Sequence, residues 1–138
     1  ERGKDFSSGY HRINVLGTER LARMAAKSGV QRFIFLSSIK VNGEFTPKND
    51  SGEITYFTEE DKPNPQDTYG KSKWEAEQVL HEIASNTKLE VVILRLPLVY
   101  GPRVKANFLN LLKLVQLGIP LPFASIKNKR SLILFTLI

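Results

Sequence analysis

Two short apolar runs govern what this chain can fold into. Phe33-Ile-Phe-Leu36 and Val91-Val-Ile-Leu94 contain no polar residue and are rich in aromatic and β-branched side chains. Runs of that length without alternation suit strands buried on both faces, the habit of parallel sheets. Parallel strands need a long crossover. The sequence between the runs supplies one, with a helical stretch from about Thr68 to Asn86 whose stripe is Ala76, Val79, Leu80 and Ile83. Another helix is expected from Ser8 to Ser28, with Ser7 or Ser8 as cap, Ile13, Leu16, Gly17, Leu21 and Met24 as its apolar face, and Gly29 as its stop. A third is expected from Ala106 to Leu117, ended by Gly118. The order helix, strand, loop, helix, strand, loop, helix is that of an α/β fold with a parallel sheet.

Between Val41 and Thr68 the breakers Asn42-Gly43, Pro47, Asn49, Gly52, Pro63 and Pro65 predict a long loop, a feature that commonly carries function. Pro97, Gly101 and Pro102 predict a break after the second strand. Ligands of open parallel sheets bind beyond the carboxyl ends of the strands. Three places are therefore singled out: Ser37-Ser38, the helix start after Thr68, and Pro97 to Pro102.

Composition removes several classes of function. With no Cys there is no disulfide framework, thiolate zinc site or thiol nucleophile, and no metal site is expected. An apolar content of 41% excludes wholesale disorder. No run approaches the ~20 residues of a membrane span. Glu1-Arg-Gly-Lys-Asp5 lacks the apolar core of a signal peptide, so a cytoplasmic setting with no membrane partner is expected. The net charge of +6 comes from scattered residues, with one tight cluster at Lys127, Lys129 and Arg130. Without a basic helix or an aromatic string, no nucleic-acid partner is expected.

The candidate chemistry sits at the places just named. Tyr69 and Lys73 are four apart and share a helix face. An ammonium near a phenol lowers the phenol pKa, which would make Tyr69 a usable general acid or base toward a hydroxyl or ketone. Ser37 and Ser38 end the first strand, where a hydroxyl can donate to a substrate oxygen or simply form a turn. Each pattern is common by itself. Their order along the chain is specific: Asn14-Val-Leu-Gly-Thr18, then Phe33-Ile-Phe-Leu-Ser-Ser-Ile-Lys-Val-Asn-Gly43, then Tyr69-Gly-Lys-Ser-Lys73, then Leu94-Arg-Leu-Pro-Leu-Val-Tyr-Gly-Pro102.

These four segments resemble the extended short-chain dehydrogenase/reductases, in the NAD-dependent epimerase/dehydratase group. The nearest likeness is to nucleotide-sugar 4-epimerases and UDP-sugar 4-ketoreductases, and it runs from about Tyr10 to Ile133. The resemblance implies a Rossmann-like, doubly wound parallel sheet. It implies NAD as cofactor (or NADP), a UDP-hexose type of nucleotide sugar as substrate, and a homodimer. Ser38 would hydrogen-bond the sugar O4, Tyr69 would exchange the 4-hydroxyl proton, and Lys73 would lower the Tyr69 pKa and hold the nicotinamide ribose. Asn14, Ser37, Pro97 and Val99 would lie at the cofactor. Asn107, Phe108 and Arg130 would contact the UDP moiety, Arg130 as a bidentate partner of the diphosphate. The implied activity is reversible hydride transfer at sugar C4. The alternatives are a 4-keto-sugar reductase of polysaccharide or O-antigen synthesis and a non-catalytic dinucleotide-binding relative or inactive gene fragment.

The chain departs from the family pattern in three ways. The Gly-rich phosphate loop is missing, since the closest glycines, Gly3 and Gly9, are six apart. Leu98 stands where many UDP-hexose epimerases have Asn. The family's continuation after Arg130-Ser-Leu-Ile133 is replaced by Leu134-Phe-Thr-Leu-Ile138. The resemblance thus predicts a partial fold without the N-terminal Gly-rich βαβ unit and most of the substrate domain. Residues 1–103 would form the later part of the dinucleotide-binding domain and 104–138 the start of the substrate region. The 138-residue chain alone is expected to be inactive.

Overall fold

A computed structural model describes residues 8–46, 51–101, 109–110, 113, 116–117 and 132–134. The chain divides into two units, Glu1–Leu96 and Pro97–Ile138.

In the first unit the chain is helical from Ser8. It passes through a π-helical segment, His11–Gly17, and continues as α1 (Thr18–Lys27). Gly29, at a φ of +74°, turns the chain out of α1. Strand β1 (Arg32–Ser38), a 3-10 turn (Ile39–Val41), helix α2 (Thr68–Asn86) and strand β2 (Glu90–Leu96) follow. β1 and β2 pair in parallel, from Arg32↔Glu90 to Ser38↔Leu96. The crossover between them carries α2, as the sequence predicts.

Helix α2 has defined ends. The Asp67 carboxylate accepts the Gly70 N–H at 2.6 Å, so Asp67 is the N-cap. At the other end the Thr87 hydroxyl donates to the Ile83 carbonyl and the chain leaves in an extended conformation. Ala76, Leu80 and Ile83 on the inner face of α2 join Ala22 of α1, Phe35 of β1 and Leu89 in one buried core. Phe33, Val79, Val91 and Ile93 pack around it. Fully burying a side chain such as Leu80 stabilises by roughly 1.5–3 kcal/mol.

Two expectations need correcting. The stripe Ile13, Leu16, Leu21 and Met24 was expected to face the core, yet all four side chains are exposed, and Val15 and Ala22 are buried instead. For Ile13 and Leu16 the cause is the π-helical segment, whose i→i+5 hydrogen bonds break the 3.6-residue period, while in the regular helix that follows the covered face is that of Ala22, away from Leu21 and Met24. The strands were expected to be buried on both faces. Among the described residues only the face of Phe33, Phe35, Val91 and Ile93 is covered. Ile34 and Leu36 on the other face are 59% and 56% exposed, with Val92 and Leu94 beside them.

The second unit contains β3 (Leu98–Tyr100) and β4 (Leu132–Leu134), paired in parallel from Leu98↔Leu132 to Tyr100↔Leu134. The break expected from Pro97 to Pro102 thus includes a short strand. Residues 109, 110, 113 and 116 are helical. The rest of the expected third helix lies outside the described residues.

Candidate active site

The carboxyl end of β1 and the first turns of α2 meet. Ser38 is the last residue of β1 and the N-cap of the 3-10 turn, its side chain accepting the Lys40 N–H at 3.3 Å. The same hydroxyl lies near enough to the Tyr69 phenol to favour its ionised form. Lys73 lies one helical turn further along α2. Its Nζ donates to the Leu36 carbonyl at 2.9 Å and sits 4.5 Å from the centre of the Phe35 ring. The structure therefore brings together Ser38, Tyr69 and Lys73.

Electrostatics place the phenol differently from expectation. Burial raises the Tyr69 pKa above its ordinary value, and the neighbouring Tyr10 and Asp67 add to the rise. The Ser38 hydroxyl and the charge of Lys40 act in the opposite direction and are outweighed. The expected lowering by Lys73 is not what the structure has: the ammonium is directed to the Leu36 carbonyl and the Phe35 ring. Burial lowers the pKa of Lys73 itself, with the Glu77 charge opposing.

The N-terminal helix supports α2 from the side. Asn14 donates its amide N–H to Ser72 Oγ at 3.0 Å, and Ser72 donates to the Tyr69 carbonyl at 2.8 Å. The Tyr10 ring meets the Tyr69 ring edge-on, with centroids 5.6 Å apart. Asn14 is thus tied to the helix turn that carries Tyr69. Ser37, expected at the cofactor, points to the helix side of the sheet and donates to Glu77. Pro97 and Val99 belong to the second unit, where Val99 is the register partner of Ile133. Asn107, Phe108 and Arg130 lie outside the described residues.

Sequence reasoning missed a buried polar cluster beside this site. Glu77, with a side chain 1% exposed, accepts from Arg95 Nη2 at 2.7 Å and from Arg95 Nε at 3.2 Å. Arg95 Nη1 donates to the Asn42 side-chain oxygen at 3.1 Å. Two signals could have revealed it. Glu77 continues the four-residue spacing of Tyr69 and Lys73, and Arg95 is the one charge inside an otherwise apolar strand from Val91 to Leu96. The sequence also gave no hint that the Lys40 ammonium would bridge Asp67 at 2.5 Å and Glu44 at 2.8 Å.

A nicotinamide dinucleotide fits these residues in part. The Lys73 ammonium has three donors, of which the Leu36 carbonyl takes one, leaving N–H groups for ribose hydroxyls. No pair of glycines in the sequence forms the tight turn that places a helix N-terminus on a pyrophosphate. Among the described residues no group of three or more His, Asp or Glu could hold a metal ion, and no helix is long and apolar enough to cross a membrane.

Comparison with known proteins gives the lineage. UDP-glucose 4-epimerase of Vibrio cholerae is 54% identical over 125 residues, which is 90% of this chain and 37% of that protein. MoeE5 in complex with UDP-glucose and NAD superposes with a TM-score of 0.64 at 32% identity, over 80% of this chain and 36% of its own. UDP-glucuronic acid 4-epimerase from Bacillus cereus, solved with UDP-glucuronic acid and NAD, gives a TM-score of 0.70 at 27% identity, over 88% of this chain and 37% of its own. The chain spans about a third of the length of the curated relatives it matches. The model of the NAD dependent epimerase/dehydratase family matches residues 2–131. With the parallel β1–β2 pair, the crossover helix and that match, the chain belongs to the NAD dependent epimerase/dehydratase family.

Proposed function

We propose that the whole protein is a nucleotide-sugar 4-epimerase that uses NAD, of the UDP-glucose 4-epimerase kind, and that this chain holds the proton-transfer half of its active site. The observation that supports the reading is the meeting of the end of β1, with Ser38, and the first turns of α2, with Tyr69 and Lys73, in a chain 54% identical to such an epimerase. Bound NAD supplies a hydride acceptor and donor for sugar C4. Ser38 hydrogen-bonds the sugar O4. Tyr69 takes the 4-hydroxyl proton as the C4 hydrogen leaves as hydride, and returns a proton to O4 once the turned 4-keto sugar has regained the hydride on its other face. Lys73 holds the cofactor ribose, with Asn14 steadying the helix turn behind Tyr69. The UDP moiety is held by Asn107, Phe108 and Arg130, and Pro97 and Val99 lie along the nicotinamide. Residues 1–103 belong to the dinucleotide-binding domain and 104–138 to the substrate region. The enzyme is a homodimer, and the absence of Cys suits a reducing, cytoplasmic setting.

One observation favours a second reading, a UDP-4-keto-sugar reductase. Burial raises the Tyr69 pKa above its ordinary value, which suits the direction in which Tyr69 delivers a proton to the ketone oxygen.

The deciding experiment supplies the whole protein with NAD and UDP-glucose and follows UDP-galactose by proton NMR. Interconversion is expected, with the Tyr69→Phe variant slower by about 10²–10⁴-fold while it still binds NAD. Failure of the wild type to interconvert UDP-hexoses, while it reduces a UDP-4-keto sugar with NADH, would establish the second reading in place of the first. An undiminished rate in Tyr69→Phe would overturn both.

A further inference from the structure

The buried cluster behind β1 has no part in the proton transfer just described, yet it holds the segment that carries Ser38. Glu77 is fully buried and Arg95 mostly so. Every arm of the cluster is committed. The two Glu77 carboxylate oxygens accept from Ser37 Oγ and from Nε and Nη2 of Arg95, and Arg95 Nη1 goes to Asn42. The four residues come from four places: the end of β1, the loop after the 3-10 turn, the middle of α2 and the end of β2. Ser37 and Arg95 are register partners, so the same ladder rung brings both to Glu77.

We propose that Ser37 is a positioning residue: anchored through Glu77 to Arg95, it fixes the end of β1 so that the next residue, Ser38, presents its hydroxyl to the Tyr69 phenol. The proposal rests on the reading of Ser38 and Tyr69 as the proton-transfer pair. Successive side chains of a strand point to opposite faces, so holding Ser37 on the helix side sets the direction of Ser38 on the other. The segment Ser37 to Asn42 contains Ser38 and the whole 3-10 turn, and both of its ends are tied to the same carboxylate–guanidinium pair. That pair is seated on the face of α2 that bears the candidate site, because Tyr69, Lys73 and Glu77 recur every four residues. Buried ion pairs are seldom kept for stability, since apolar residues of similar volume serve as well. Holding a short functional segment between three elements is a use that apolar packing, being non-directional, does not provide.

The test uses the 138-residue chain with its tyrosines labelled at the ring carbon bearing the hydroxyl. The Tyr69 signal is assigned from Tyr69→Phe and followed by carbon NMR as pH is raised. The groups facing the phenol are Ser38 from β1, Lys40 from the 3-10 turn, Asp67 before α2 and Tyr10 from the N-terminal helix. Only the serines are changed. Ser38→Ala removes a hydroxyl that lowers the Tyr69 midpoint, so the midpoint is expected to rise. Ser37→Ala is expected to raise it in the same direction. It should add nothing in the Ser38→Ala background, and Ser37→Thr, which keeps a hydroxyl, should restore the wild-type midpoint. A Ser37→Ala midpoint equal to wild type overturns the proposal. So does an effect that persists in full when Ser38 is already Ala. The readout is independent of turnover, so failure of the whole protein to epimerise would leave this result standing and would count only against the proposed function.

Discussion

A β-carbon placed on Gly70 would lie 2.8 Å from the carbonyl oxygen of Lys40, so the first turn of α2 and the 3-10 turn after β1 approach as closely as backbone allows. Pro65 and the Asp67 carboxylate crowd the same point. Gly70 follows Tyr69 in α2, and Lys40 stands two residues after Ser38. Gly70→Ala is expected to force the turn outward and to cost about 1–3 kcal/mol, measured by urea unfolding. Gly17→Ala is the control. Its added carbon meets nothing closer than 3.7 Å, and it should be neutral or stabilising by up to about 1 kcal/mol. Equal effects at the two positions would contradict the close approach.

The Glu77–Arg95 pair should behave asymmetrically under mutation. Glu77→Gln leaves the partly buried guanidinium without its counter-charge and is expected to cost about 3–5 kcal/mol. Replacing both together, Glu77→Leu with Arg95→Met, should recover most of that loss. Stability of the double variant no better than that of the single would show that the pair is not a self-contained unit.

The N-terminus of α2 carries a pH dependence. Burial tends to raise the Asp67 pKa, but the Lys40 hydrogen bond, the Gly70 N–H and the Lys40 charge together leave it below the ordinary value. A carboxylate lowered on folding adds stability that is present above its unfolded value and fades as pH falls through the folded one. Stability should therefore decline on acidification below the ordinary carboxylate range, and Asp67→Ala should lose most of that decline. At neutral pH Asp67→Ala is expected to cost about 0.5–2 kcal/mol through the lost cap. Asp67→Asn keeps an acceptor for Gly70 and gives up only a part-exposed ion pair, so it should cost under about 1 kcal/mol. Unfolding curves at neutral and acid pH decide the matter.

What could be read from the sequence followed from whether a residue obeyed its local period. Helix α2 was legible, because Ala76, Leu80 and Ile83 keep helical spacing and breakers stand before it. Both strands were legible as apolar runs, and so was their parallel pairing, from the length of the crossover. The buried face of the N-terminal helix was not, because i→i+5 hydrogen bonding shifts Ile13 and Leu16 outward and Val15 inward. Among the candidate residues, strand end and helix spacing located Ser37, Ser38, Tyr69 and Lys73, and only the order of the four motifs singled out Ser38, Tyr69 and Lys73 for chemistry. Glu77 and Arg95 could not be found in this way, since a charged residue reads as surface until its partner is known.

Lys73 should separate function from stability. Among the described residues its ammonium donates one hydrogen bond, to the Leu36 carbonyl, and its charge is partly buried at a cost. Lys73→Met is expected to keep stability within about 1 kcal/mol while the whole protein loses NAD affinity and turnover. Thermal unfolding of the chain and fluorescence titration of the whole protein with NADH measure the two effects. A variant that unfolds but still binds the dinucleotide would reverse the assignment.

The pairing of Arg32 with Glu90 joins residues 58 apart in sequence. Closing so long a crossover carries an entropy cost that must be met before the ladder rewards it. Helix α2 itself, built from neighbours three and four apart, can form earlier, whereas its contact with the N-terminal helix spans as long a loop as the ladder does, 58 residues between Asn14 and Ser72. The end of β1, where Ser38 sits, gains its orientation only when Arg95 arrives beside Ser37 on the completed ladder. The candidate site is thus a late event in folding. Helical circular dichroism should therefore develop well before Tyr69 meets either Tyr10 or a serine hydroxyl.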